Sequence, residues 1–242
     1  MSTIKHFLGN LYSSIHLTTP RAILLGACIL AISHLGYGTL LTRNGAALEN
    51  EIFKGRIIDE SDLATGNTKS DIVVVEYSDT ECPFCAQFHP TIKKMQDEYG
   101  SKISFVYRYF PLTQIHPHAF EEARALYCAG KVGGSKKREA YIHEIFTSKI
   151  AKKNMVLPEG GKEALASNVG LDVSAMSACM KSQESSDAIN ASIQDGVQAG
   201  VDGTPATYVL IKKGKGYEVV SMIAGARPYE YFKAVLDEAL AR

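Results

Sequence analysis

The segment Cys82-Pro83-Phe84-Cys85 begins five residues after a strand-like run, Ile72-Val73-Val74-Val75-Glu76-Tyr77, and opens a helical pattern. No other feature constrains the fold as much. A continuous β-branched run reads as a strand buried on both faces, the habit of a central strand. Phe88, Ile92 and Met95 then recur on one side of a helix reaching Tyr99. Pro90 should kink that helix and Gly100 should stop it. A strand that feeds a helix through a short turn is half of an α/β layer.

This placement also gives the cysteines a chemistry. Cys82 falls at the helix N-terminus, where backbone N–H groups and the helix dipole favour negative charge. That environment lowers a thiol pKa from roughly 8.5 toward 7 or below, and the thiolate is the species that attacks disulfides. Cys85, one turn further in, would act second, resolving or closing a disulfide. The same spacing fits two metal ligands. Zinc needs four, however, and only His89 stands near as a third. A purely structural bridge is the other alternative, but one spanning a single turn closes little chain and stabilises little.

The rest of the chain supplies the remaining layer. Arg56–Ile58 is a candidate short strand, and 61–70 reads as polar turns. Ile103–Phe110 alternates as a strand ended by Pro111. A helical block with glycine breaks follows, with candidate helices at His118–Ala129, Arg138–Ile150, Glu159–Asn168, Val173–Lys181 and Ser186–Ala199. Ala206–Ile211 and Tyr217–Ile223 form a hairpin, and Pro228 opens a last helix with Phe232, Val235, Leu236, Ala239 and Leu240 on one face. The expected architecture is an α/β layer interrupted by a helical lobe. Residues 45–111 and 204–242 make the layer and residues 112–203 the lobe.

Taken together, residues 53–242 resemble the thioredoxin superfamily, and within it the DsbA-like branch with a helical insertion. Cys82-Pro-Phe-Cys85 matches the redox motif. Glu76, six residues earlier, matches the family's buried acid on the preceding strand. Pro90 is similar in place to its helix-kinking proline, and Thr204-Pro205 to its cis-proline loop. The resemblance implies a thioredoxin fold and a protein thiol–disulfide oxidoreductase with no dissociable cofactor. It also implies reduced or unfolded client proteins and a quinone-linked membrane partner for reoxidation. Phe84 departs from strongly oxidising DsbA proteins, which carry histidine there, and Pro83 departs from the Gly-Pro of reducing thioredoxins. Residues 42–52 are too short for the dimerisation domain of the superfamily's isomerases, so a monomer is expected. Disulfide introduction is the favoured direction. Reduction or isomerisation by the same cysteines, and a non-redox chaperone module on the same fold, are alternatives. A glutathione transferase of this branch would carry serine where Cys82 stands.

Each supporting residue has a plainer reading as well. Glu76 is either a buried proton relay beneath the cysteines or an edge or outward-facing carboxylate. Thr204 and Pro205 either receive a client peptide by strand addition or make an ordinary turn. Phe84 either touches partners or packs. His89 reads as a packed helix residue, His116 and His118 as helix caps, Tyr107 and Tyr109 as core, and Lys136-Lys137-Arg138 as a solvated run.

Composition narrows the setting. Lys plus Arg and Asp plus Glu both number 26 in 242 residues, so no basic excess points to nucleic acid. Ala22–Leu41 is a run of 20 residues free of Asp, Glu, Lys and Arg. It is long enough for a transmembrane anchor. A cleaved signal ending near Ala31-Ile32-Ser33 is the rival reading. Either places the domain after residues 1–44 outside the cytoplasm, in a periplasm, tethered by residues 22–41 or released. Cys28 lies inside the apolar run. Cys128 and Cys179, on separate helices of the block, are expected to pair as a structural disulfide in an oxidising compartment, or else to be buried thiols.

Overall fold

The computed structural model describes residues 51–242. The anchor or signal run at 22–41 and Cys28 lie outside the described residues. A 3-10 turn at Glu60–Asp62 precedes β1 (Thr65–Gly66), β2 (Ile72–Ser78), α1 (Pro83–Tyr99) and β3 (Ser104–Tyr109). Four helices follow: α2 (Ala119–Lys152), α3 (Gly161–Asn168), α4 (Val173–Met180) and α5 (Gln183–Ala199). The chain closes with β4 (Ala206–Lys213), β5 (Gly216–Ala224) and α6 (Tyr229–Ala241).

The strands form one sheet in the order β1-β3-β2-β4-β5. β2 and β3 are parallel, as a strand–helix–strand unit demands, and β4 runs antiparallel to β2. The β-branched run is therefore the central strand, with both edges paired. Its alternate side chains enter two different layers. Val74 packs with Phe105 and Val209 under α1 and α6, where Phe88, Met95, Phe232 and Leu236 fill the core. Val73, Val75 and Tyr77 point the other way, into a layer with Val106, Phe110, Tyr208 and Leu210. Helix α5 comes close on that side at Gly196, where any Cβ would stand about 2.5 Å from the Phe110 ring.

Buried charge ties the layers together. Arg108 on β3 pairs with Asp62 at 3.0 Å and Asp195 at 2.9 Å, while the Tyr77 hydroxyl donates to Asp195 at 2.7 Å. The helical block buries Leu126, Tyr141, Ile145, Phe146, Met176 and Ile189 in a core that also takes in Cys82, Cys85, Ala86 and Tyr109. A disulfide joins Cys128 of α2 to Cys179 of α4.

Two details depart from the expectations. No strand forms at Arg56–Ile58: the Arg56 guanidinium is drawn to Asp59 and Asp62, and the pairing upstream of β1 is a bridge from Ile52 to Glu218. The helices expected at 118–129 and 138–150 are present as the two arms of α2, which meet at a kink where Gly134 leaves the helical conformation with a φ of +75°. The basic run is not a solvated stretch throughout. Arg138 is buried and donates to the carbonyls of Asp62 and Leu63.

Candidate functional site

Cys82 is the N-cap residue of α1 and Pro83 opens the helix, where its missing N–H costs nothing. Cys85 sits on the first turn and is wholly buried. The Cys82 thiol donates to the Thr204 carbonyl at 3.4 Å, across the cis Thr204–Pro205 bond that precedes β4. Pro205 is buried, and Phe84 stands 60% exposed at the tip of the motif. The fold thus brings Cys82, Cys85, Thr204 and Pro205 together, from segments that are distant in sequence.

The two sulfurs are electrostatically unlike. The Cys82 thiol is lowered to about 6, chiefly because the Cys85 thiol donates to it. The Thr204 side chain and the N–H groups of Cys85 and Phe84 add to this, against the opposing effect of burial. Cys85 is pushed well above the ordinary thiol range by burial, by Cys82 and by the nearby Glu76 carboxylate. One sulfur is therefore charged at neutral pH and the other is not. In the reduced protein, the ultraviolet absorbance of thiolate should rise with a midpoint near pH 6. A Cys82→Ser variant should lose that transition, and a midpoint above about 8 would contradict this electrostatic picture.

Glu76 lies on the central strand between Tyr107 of β3 and Thr207 of β4, so it is not an edge carboxylate. Burial raises its pKa to about 7, with Ser78 pulling the other way. It lines a cavity of about 40 Å³ with His89, Gln96 and Tyr107, a space large enough for water. Burial, with help from His143 and Lys93, lowers His89 to about 4, so its ring is neutral. Its Nε2 lies 3.1 Å from His143 Nδ1. Among the described residues no three His, Cys, Asp or Glu side chains converge as a metal site.

The loop before Cys82 holds residues whose part the sequence reading missed. Asp79 accepts from His116 Nδ1 at 2.7 Å and from the Leu112 N–H at 2.8 Å. Glu81 accepts from the His118 N–H at 2.8 Å and from its Nδ1 at 3.0 Å. Thr80 donates to Glu122 at 2.6 Å, and its carbonyl accepts from Lys149 at 2.9 Å. His118 holds the N-cap position of α2, as expected, but neither histidine side chain caps the helix; both rings reach back instead to the loop before Cys82. The legible signal was a matched spacing: two acids at 79 and 81, two histidines at 116 and 118.

Comparison with known proteins agrees with this geometry. A family model described as Thioredoxin matches residues 59–238. The sequence is 29% identical over 170 residues to the Na(+)/H(+) antiporter NhaA 1 of Mycolicibacterium gilvum, covering 68% of this chain and 26% of that protein. The chain thus spans about a quarter of the length of that relative. A Rickettsia prowazekii protein named as a candidate protein-disulfide oxidoreductase is 42% identical over 60 residues, which is 24% of this chain and 22% of that one. The solved α-DsbA1 of Wolbachia pipientis superposes with a TM-score of 0.65 at 20% identity, over 75% of this chain and 92% of that one. With a matching model over most of its length and a buried Cys-Pro-Phe-Cys pair facing a cis-proline loop, the chain belongs to the thioredoxin family and carries the DsbA-like form of its fold.

Proposed function

We propose that this chain is a thiol–disulfide oxidoreductase that introduces disulfides into client proteins outside the cytoplasm. The observation that carries the reading is the asymmetry of the pair, a Cys82 sulfur stable as thiolate beside a Cys85 sulfur that is not.

In the oxidised protein a client thiolate attacks Cys82 Sγ. The Cys82–Cys85 bond breaks, a client–Cys82 bond forms, and the Cys85 sulfur leaves with a proton drawn from Glu76. The client's second thiolate then attacks the client sulfur of the mixed disulfide and expels Cys82 as thiolate. Two electrons and two protons leave the client dithiol, whose sulfurs end joined. A leaving thiolate of low pKa speeds that last step. Thr204 and Pro205 would receive the client backbone by strand addition, and exposed Phe84 would give apolar contact. No dissociable cofactor takes part in this scheme. A quinone-linked membrane partner would restore the disulfide, and residues 22–41 would tether a monomer at the periplasmic face or be cleaved on export. The Cys128–Cys179 bond supports an oxidising compartment.

The test is the reduction potential of Cys82–Cys85, read by alkylation and mass after equilibration in glutathione buffers. A value of about −120 to −180 mV is expected and marks a disulfide donor. A value near about −270 mV would make the protein a reductant and reverse the direction. Activity that survives Cys82→Ala would point instead to a chaperone module.

A further inference from the structure

The Asp79 backbone touches both cysteines. Its carbonyl accepts from the Cys82 N–H at 3.1 Å, and its N–H donates to Cys85 Sγ at 3.5 Å. Its carboxylate is fully buried and has no freedom left. One oxygen accepts from the Glu81 N–H at 2.7 Å. The other accepts from His116 Nδ1 and the Leu112 N–H, both in the segment that leads from β3 into α2. An ionised carboxylate only accepts, so Nδ1 of His116 carries the hydrogen. Turning residue 79 to move its N–H off Cys85 would break three buried bonds at once. The neighbouring clasps, Glu81–His118 and Thr80–Glu122–Lys149, hold the loop but have no bond to a cysteine sulfur.

We propose that Asp79 and His116 are a positioning pair for the redox reaction, holding the Asp79 N–H on the Cys85 sulfur so that the reduced state is favoured over the disulfide. This rests on the reading of Cys82–Cys85 as the exchanging pair. When a client thiolate opens the disulfide, electrons arrive on Cys85 Sγ, in a buried position with few donors. In the reduced pair the Cys85 thiol donates to the Cys82 thiolate and shares its charge, so a fixed N–H stabilises its sulfur there and gives less to the same atom in a disulfide, which is a poorer acceptor. His116 touches no reacting atom and works through Asp79.

The experiment uses the full chain equilibrated in glutathione buffers. His116→Phe is expected to lower the equilibrium constant for reduction about tenfold, a shift of about 30 mV toward more negative potential. His116→Asn, whose amide N–H takes the place of Nδ1–H, is expected to stay within about twofold of the parent protein. A clasp with a merely structural role would lower the melting temperature and leave the constant alone. A constant for His116→Phe within about twofold of the parent therefore overturns the proposal. Where that variant does not fold, Asp79→Asn is read instead. Its amide would face two donors and should show the same loss, and an unchanged constant overturns the proposal equally. A parent protein whose cysteines do not exchange with glutathione at all would remove the reading of the site itself, an outcome distinct from either variant result.

Discussion

A Glu76→Gln variant is expected to be more stable than the parent protein by about 3 kcal/mol at about pH 8, and to match it within about 1 kcal/mol at about pH 4. The sign follows from burial. The unfolded carboxyl titrates near 4.5 and the folded one at about 7. Below the first value both states are protonated and no penalty exists. Above the second the folded protein must keep a carboxylate out of water that the unfolded chain solvates freely. Stability is therefore lost as pH rises through that window, at about 1.4 kcal/mol for each pH unit between the two values. Glutamine keeps the shape and cannot ionise, so the loss disappears. Urea denaturation at the two pH values checks this, and equal stability of variant and parent at both would show that Glu76 is not held protonated by burial. The same substitution should slow the release of Cys85 from the disulfide, since the proton that sulfur takes is gone.

Lys149→Met should cost about 3–5 kcal/mol, seen as a lowered denaturant midpoint. Lys149 and Glu122 are 1% and 2% exposed, and both are turned toward the loop at Thr80. Burial presses the ammonium toward neutrality while Glu122 holds its charge in place. Removing Lys149 strands the Glu122 carboxylate without a counterion, and it is that stranded charge, more than the lost contact, that destabilises. A second change, Glu122→Gln, removes the charge and still accepts from the Thr80 hydroxyl. The double variant should therefore recover at least half of the loss. A double variant as unstable as the single one would mean that packing around Lys149, not charge, sets the effect.

The fold was legible where a single period ruled. The run at Ile72–Tyr77 has one reading, and the cysteine pair after it fixed the strand-to-helix junction; Phe232 and Leu236 announced the last helix in the same way. Legibility failed where an ion pair overrode the local pattern. Arg56 had strand-like neighbours but two carboxylates within reach, whereas the break read at Gly134 is a real kink between two helical arms. At the site, Cys82, Cys85 and Pro205 could be read because their chemistry is tied to residue type and to order along the chain. Asp79 and His116 were hinted at only by the matched spacing of two acids with two histidines. Each is ordinary alone, and their meeting depends on how the segment after β3 returns over the helix N-terminus, which no local periodicity encodes.

The central strand also sets the order in which the chain can become a protein. Val75 of β2 lies opposite Tyr208 of β4, about 130 residues later. During synthesis, β2, α1 and β3 emerge early, but one flank of the most apolar strand stays open until the last few dozen residues arrive. An open flank of that kind invites pairing with other chains. The long separation makes closure of the sheet a late and slow event, after the helical block has condensed within the loop it spans. Deletions that remove the strands after residue 203 should therefore yield not a smaller folded domain but an aggregating one, however complete the cysteine motif remains.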